Sequence, residues 1–313
     1  MVAATFSGNT FSFTRFVPLT GTKVTIEAVD EWGNKSTKVV KLTREAVKTA
    51  AIRFEALDPS TFSAKNNPDA VALIIGIADY KRTAQAKYAD RDAEFFADYA
   101  RRKLGVPRSN IKVLINDAAD ASDIIEATNV WLPSATKASQ SDIYVFFAGH
   151  GLGSENGKEV YLLPYSGIPQ VLDQTAIHRS KLFKTIASAQ PRSVTVFLDT
   201  CYSGTSRTED TLLASRPIII TPIEQSIPDG FTVFSAAGMK QTAKLLAQAE
   251  HGLFSYYLMK GMEGEADANQ DNQITAEELH TFVAENVARQ APRLNTDQTP
   301  QINGDADRVL VAW

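Results

Sequence analysis

The chain of 313 residues holds one cysteine, Cys201, in DTCYSGTSR (199–207), directly after the apolar run SVTVFL (193–198). A thiol attacks as its thiolate, and a free pKa near ~8.5 leaves it mostly protonated at neutral pH, so it needs a base or a cation beside it. There are four histidines. His280 falls on the exposed side of a helical pattern, His178 precedes a helix, and His251 opens HGLFSYYL. His150 closes FFAGHG, again directly after an apolar run, and stands 51 residues before the cysteine. A histidine between two glycines and a cysteine three residues before one, each at the end of a strand-like run, are the parts of a base–nucleophile pair.

Two chemistries use such a thiol, peptide cleavage and phosphate-ester hydrolysis. CYSGTSRT matches the phosphatase spacing of cysteine, five residues and arginine, with Arg207 as the phosphate ligand and Gly204 and Thr208 in suitable places. That loop should run straight into a helix. Here TEDTLLASRPIII follows, with two acids and an early proline, and the phosphatase reading leaves FFAGHG without a role. Peptide cleavage uses both segments. An inactive scaffold of the same fold is the third reading, because fold does not guarantee turnover.

The elements that must carry these residues alternate strand and helix from 71 onward. VALIIGI (71–77), IKVLI (111–115), DIYVFF (142–147), SVTVFL (193–198) and FTVFSA (231–236) read as strands. Their runs are continuously apolar, as strands buried on both faces of a mostly parallel sheet require. Helical patterns are predicted near 90–104, 120–132, 179–189, 253–263 and 276–289, the first stopped by Gly105 with Pro107 beyond it. DRVLVAW at the end of the chain reads as an edge strand. The prediction is a three-layer α/β sandwich, and such folds place their sites at the carboxyl ends of strands. Consecutive parallel strands tend to be neighbours, so the tips bearing His150 and Cys201 are expected side by side, about 4.8 Å apart.

Residues 1–45 differ. GTKVTIEAV alternates Val24, Ile26 and Ala28 with Lys23, Thr25 and Glu27, DEWGNKS turns, and TKVVKL returns, which makes a β-hairpin signal. Two or three strands bury no core of their own. The hairpin resembles the last strands of a bacterial Ig-like repeat, and so is expected to be the remnant of such a module. Residues 46–70 read as linker. The net charge of −4 offers no basic face for nucleic acid. A single cysteine excludes an internal disulfide, and no apolar run is long enough to cross a bilayer. The start lacks a signal-peptide pattern, so the expectation is a cytoplasmic protein if Met1 is the true beginning and an exported one if sequence precedes it.

FFAGHG, DTCYSG (199–204), VALIIGIADY (71–80) and HGLFSYYLMKGMEG (251–264) together resemble the caspase-like cysteine peptidases, within them the bacterial metacaspase-like group (orthocaspases), over roughly residues 70–313. The resemblance implies a caspase-like peptidase domain at 71–313, with a large-subunit-like part at 71–206, an intervening loop at 207–230 and a small-subunit-like part at 231–313. It implies a His150/Cys201 dyad forming a thioester, oxyanion donation by the backbone N–H groups of Gly151 and Cys201, and no cofactor required for the chemistry. Metacaspases cut after arginine or lysine through an acidic pocket. The matching positions are Asp92, in YADRDAEFF, and Asp199, and a carboxylate pair is what a guanidinium or ammonium requires. As local structure, Asp90 and Asp92 equally suit a helix N-terminus and Asp199 a turn cap. The sequence departs from the pattern at Ala89, Ala148 and Tyr202, where cysteine, serine and histidine are common. Arg207 and Arg216 make the intervening loop a candidate for self-cleavage. Protein or peptide substrates are the implied partners.

DANQDNQITAEE (267–278) follows the twelve-residue calcium loop at most positions: Asp267, Asn269 and Asp271 at 1, 3 and 5, the Gln273 carbonyl at 7, Ile274 at 8 and Glu278 at 12. Asn272 replaces the usual glycine at 6, in a conformation asparagine tolerates. The same stretch reads equally well as a turn followed by a capping box from Thr275 to Glu278.

Overall fold

A computed structural model of the chain describes residues 5–7, 10–12, 17, 21–29, 32–43, 54–154, 156–202, 226–238 and 241–313. Six strands form the central sheet: β1 (Val71–Gly76), β2 (Ile111–Ile115), β3 (Asp142–Ala148), β4 (Ser193–Asp199), β5 (Phe231–Ser235) and β6 (Gln301–Gly304). Their order is β6-β5-β4-β3-β1-β2, and all pairs are parallel except β5–β6. The four inner strands are buried almost throughout, which is why their sequences are continuously apolar.

Helices α1 (Ala89–Arg102), α2 (Ala121–Glu126), α3 (Arg179–Ser188), α4 (Leu253–Lys260) and α5 (Ala276–Gln290) surround this sheet. Phe96 of α1 stacks on Phe146 of β3 at 4.4 Å and tilts against Phe197 of β4 at 5.4 Å. Phe197 meets Phe234 at 5.1 Å on that face, whereas Phe183 of α3 meets Phe231 at 5.4 Å. Residues 231 and 234 point to opposite sides of a strand, so α1 and α3 cover opposite faces, giving three layers. Gly76 lets α1 lie against the sheet: a Cβ there would stand 2.4 Å from the Ala93 Cβ and 2.5 Å from the Ala89 carbonyl.

The predicted elements are present, with three differences. DRVLVAW does form a strand, Val309–Ala312, but it pairs with Gln273–Thr275 rather than with the central sheet. One edge of the sheet, beside β5, is β6, QING, which has no apolar pattern to reveal it. The helix near 120–132 continues from α2 through a π-turn, Ala127–Trp131, into Leu132–Ala135. The hairpin is present as an antiparallel pair, Thr22–Val29 with Lys35–Leu42, and Val24 on it is buried.

Residues 54–70, expected within a linker, are strapped to the domain. Phe54 packs edge-on to Tyr256 at 5.6 Å, Phe62 stacks on Trp313 at 4.2 Å, and the N–H groups of Ala64, Lys65 and Asn67 donate to Arg102, Ala312 and Gly105 carbonyls. Buried Glu263 accepts from the Asp58 N–H (2.7 Å), the Tyr99 hydroxyl (2.5 Å) and Lys260 Nζ (2.8 Å). Lys103, fully buried, donates to Thr61 Oγ1 at 2.7 Å and the Phe62 carbonyl at 2.9 Å. Polar partners thus join the aromatic contacts of Phe54 and Phe62 in holding this segment.

Burial pushes the Lys103 ammonium down to about 8, against the pull of Glu263 and Asp58. The unfolded chain therefore holds this proton at pH values where the folded one has shed it, so stability rises from about pH 8 towards about 10.5. Thermal melts across pH 8–10 should show that rise in the native chain and a flatter profile in Lys103→Met. Equal slopes would show that Lys103 keeps its ordinary affinity.

Candidate active site

Strand pairing sets the site. In the β3–β4 ladder Ala148 lies opposite Asp199, the last residue of each strand. His150 and Cys201 each follow two residues later, so both leave neighbouring parallel strands at the same height. The two loops are joined at once, because the Gly149 N–H donates to the Asp199 carbonyl at 3.3 Å. Gly149 has φ +155°, and a Cβ on it would stand 2.5 Å from the Tyr80 hydroxyl oxygen. Glycine is required there by both conformation and space.

Tyr80, from the loop after β1, orients the histidine. Its hydroxyl accepts the His150 N–H at 2.7 Å and donates to the Leu163 carbonyl at 3.3 Å, and its ring stacks on the imidazole at 4.6 Å. His150 Nε2 lies 2.7 Å from the Ala84 carbonyl. A carbonyl only accepts, so Nε2 carries the proton and the neutral ring has its basic lone pair on Nδ1. Gly151 begins the strand Gly151–Gly153 and is locked against the cysteine loop: a Cβ there would sit 2.3 Å from Thr200 Oγ1 and 2.6 Å from the Tyr202 ring.

Cys201 is only 5% exposed. The Ala243 N–H points at its sulfur, with nitrogen and sulfur 2.8 Å apart, and the sulfur lies 3.7 Å from the Ala243 carbonyl, so this residue covers it. Ala243 belongs to a strap that turns back through the small hairpin Leu245–Leu246/His251–Gly252. Lys244 ties the strap down through its N–H to Gln298 Oε1 (2.9 Å), and its carbonyl accepts the Leu253 N–H at 2.8 Å.

Both predicted pocket acids are fully buried and lie around the start of α4. Asp92 of α1 accepts from the Gly252 N–H at 3.0 Å and bonds His251 Nδ1 at 2.7 Å. Asp199 accepts the Ser255 hydroxyl at 2.5 Å. The N-terminus of α4 supplies positive potential to the two carboxylates. Asp92 thereby anchors the strap that crosses the sulfur, a role the sequence did not reveal. His251, Tyr80 and Ala243 were missed as well. Only His251 had a visible signal, as a histidine heading an apolar helix with a buried acid elsewhere to meet it.

The calcium-loop residues lie far along the chain from this centre. Asp267 accepts the N–H groups of Asp271 (3.2 Å) and Asn272 (3.1 Å), Asn269 accepts that of Asp271 (2.9 Å), and Asp271 that of Gln273 (2.8 Å). Gln270 and Asn272 have φ of 61° and 62°, so Asn272 does take the left-handed turn that glycine usually supplies. Glu278 Oε2 accepts from the Thr275 N–H and hydroxyl, each at 2.9 Å, completing the capping box. Among the described residues no three His, Cys, Asp or Glu side chains gather as a metal cage. Gly204, Arg207, Thr208 and Arg216 lie outside the described residues.

A mostly parallel six-stranded sheet with helices on both faces, bearing a histidine loop and a cysteine loop at adjacent strand ends, is a caspase-like arrangement. The family model of the caspase domain matches residues 69–310, and the chain belongs to that family of cysteine peptidases. Two solved structures share the fold. Caspase-1 from Spodoptera frugiperda is 16% identical, with a TM-score of 0.53 over 84% of this chain and 98% of its own. A protein from Geobacter sulfurreducens is 18% identical, with a TM-score of 0.52 over 77% of this chain and 95% of its own. A search of curated proteins found no match.

Asp92→Ala leaves His251 and the Gly252 N–H without their buried partner, which should cost about 3–5 kcal/mol. It should also free the strap, so that iodoacetamide labels Cys201 faster than in the native chain, read by intact mass. An unchanged labelling rate would mean that Ala243 is held over the sulfur by other contacts.

Proposed function

We propose that the chain is a cysteine endopeptidase that uses His150 and Cys201 as its dyad and cuts after arginine or lysine. The observation that carries this is the Ala148–Asp199 pairing, which brings the two loops out of adjacent strands at one level. His150 takes the Cys201 thiol proton on Nδ1 as the sulfur adds to the scissile carbonyl, the backbone N–H groups of Gly151 and Cys201 receive the oxyanion, and His150 gives that proton to the departing amine as the C–N bond breaks. The thioester is then hydrolysed by a water that His150 deprotonates. Each oxyanion donor contributes roughly 3–4 kcal/mol in such reactions. Support for a basic residue before the cleaved bond comes from Asp92 and Asp199, two fully buried carboxylates beside the dyad's strand ends. Their present partners, Gly252, His251 and Ser255, all belong to the strap and α4, so substrate entry requires this segment to yield. Cleavage within 207–230, at Arg207 or Arg216, would be one way to release it.

Calcium enters as a modulator, with no part in the chemistry. Asp267, Asn269, Asp271, the Gln273 carbonyl and Glu278 would hold it, in a loop whose two left-handed turns suit that role. Glu278 would have to exchange its capping bonds for the ion.

Peptides with Arg, Lys, Asp or Asn before the cleavable bond, assayed with and without calcium, test this reading, with Cys201→Ala as control. Arg and Lys peptides should be cut and the control should be inactive. Cleavage only after Asp would overturn the basic preference, release of phosphate from an aryl phosphate would favour the phosphatase, and no turnover of any kind would favour the scaffold. Calorimetry should show calcium heat that Asp267→Ala abolishes; no heat in the native chain would remove the site.

A further inference from the structure

Arg179 is the first residue of α3 and is only 3% exposed. Its guanidinium carbon lies 5.5 Å from the Tyr202 ring and 5.8 Å from the Phe183 ring. Among the described residues it makes no hydrogen bond and no ion pair. A buried guanidinium that meets only aromatic faces among the described residues is costly, because its donors have lost water and gained no acceptor there. Its position adds to the cost. Helix α3 is ten residues long, has no acid in its first turn and no side-chain cap, so a cation sits at its positive end. The nearest preceding acids along the chain have other partners: Asp173 accepts the Tyr161 hydroxyl, and Glu159 pairs with His178 at 2.9 Å. Every one of these unfavourable terms changes sign when a carboxylate arrives.

Tyr202 fixes where that carboxylate comes from. It directly follows Cys201, and its ring neighbours both groups: a Cβ on Gly151 would stand 2.6 Å from it, and the Arg179 guanidinium carbon lies 5.5 Å from its centre. The guanidinium is thus one aromatic ring away from the place where a substrate backbone must lie. An extended peptide advances about 3.3 Å per residue, so an acidic side chain reaching Arg179 belongs to a residue within about three positions of the cleaved bond.

We propose that Arg179 is a specificity-determining residue that receives an acidic side chain of the peptide substrate next to the scissile bond. The proposal rests on the peptidase reading and extends it: the substrate carries a basic residue for Asp92 and Asp199 and, close by, an acid for Arg179. The pair Arg179 and Tyr202 acts as a clamp, with the ring positioning the fork for a bidentate carboxylate contact.

The test is a peptide set with Arg before the bond and Asp/Asn or Glu/Gln exchanged at each of the three positions on either side. At one position the acid should raise kcat/KM over its amide by about tenfold or more. In Arg179→Gln that ratio should fall to near one, and Arg179→Lys should restore part of it. Arg179→Met should melt at the same temperature as the native chain or higher, whereas a guanidinium with a merely structural role would lower it. Absence of an acid preference at every position, or its survival in Arg179→Gln, would overturn the proposal. Should no peptide be cleaved, the peptidase reading fails. The same peptides titrated into Cys201→Ala by fluorescence anisotropy then decide the role of Arg179: tighter binding of the acid form, lost in the Cys201→Ala/Arg179→Gln double variant, sustains it, and equal binding refutes it.

Discussion

The parallel register between β3 and β4 is the constraint on which the site depends. Because side chains alternate, a slip of one residue in that ladder would turn Asp199 away from Ser255 and carry Cys201 out of level with His150. The register is fixed both on a face of the sheet and at its strand ends. Phe146 and Phe197 must both meet Phe96 on one face, and the Gly149 N–H must reach the Asp199 carbonyl at the strand ends. Apolar packing through the body of the sheet therefore sets the position of two polar loops at its rim.

The rim itself is held by polar contacts that replace water. Tyr80 orients His150 by a hydrogen bond and a stacked ring, and the Ala84 carbonyl selects its tautomer. Asp92, Asp199 and the N-terminus of α4 form a negative site balanced by helix potential and by Ser255, His251 and the Gly252 N–H. Across Tyr202 stands the buried positive charge of Arg179. The strap through Ala243 lies across the sulfur, so the described arrangement is a closed one.

Much of this was legible in the sequence, for a physical reason. Inner strands of a parallel sheet are buried on both faces, so VALIIG, DIYVFFA and SVTVFLD announced themselves as apolar runs, and their ends located His150 and Cys201. The edge strand β6 carries no such signal: QING is a strand only because β5 offers it a free ladder, whereas the opposite edge, IKVLI of β2, keeps an apolar run. The segment 54–70 was unreadable because its attachments are scattered aromatic side chains, single polar groups and backbone amides without a period, matched to partners about 200 residues away such as Glu263 and Tyr256. Asp92 illustrates the remaining ambiguity. Its position in YADRDAEFF allowed a helix start or a binding pocket, and only the fold reveals that it meets His251 and Gly252.

The most direct test of the central claim, that His150 and Cys201 work as one unit, is covalent capture by a peptidyl acyloxymethyl ketone ending in arginine, read by intact mass and peptide mapping. The account predicts one adduct per chain, on Cys201, formed by the native protein and strongly suppressed in His150→Ala. Equal labelling of the two proteins, or an adduct on another residue, would contradict it.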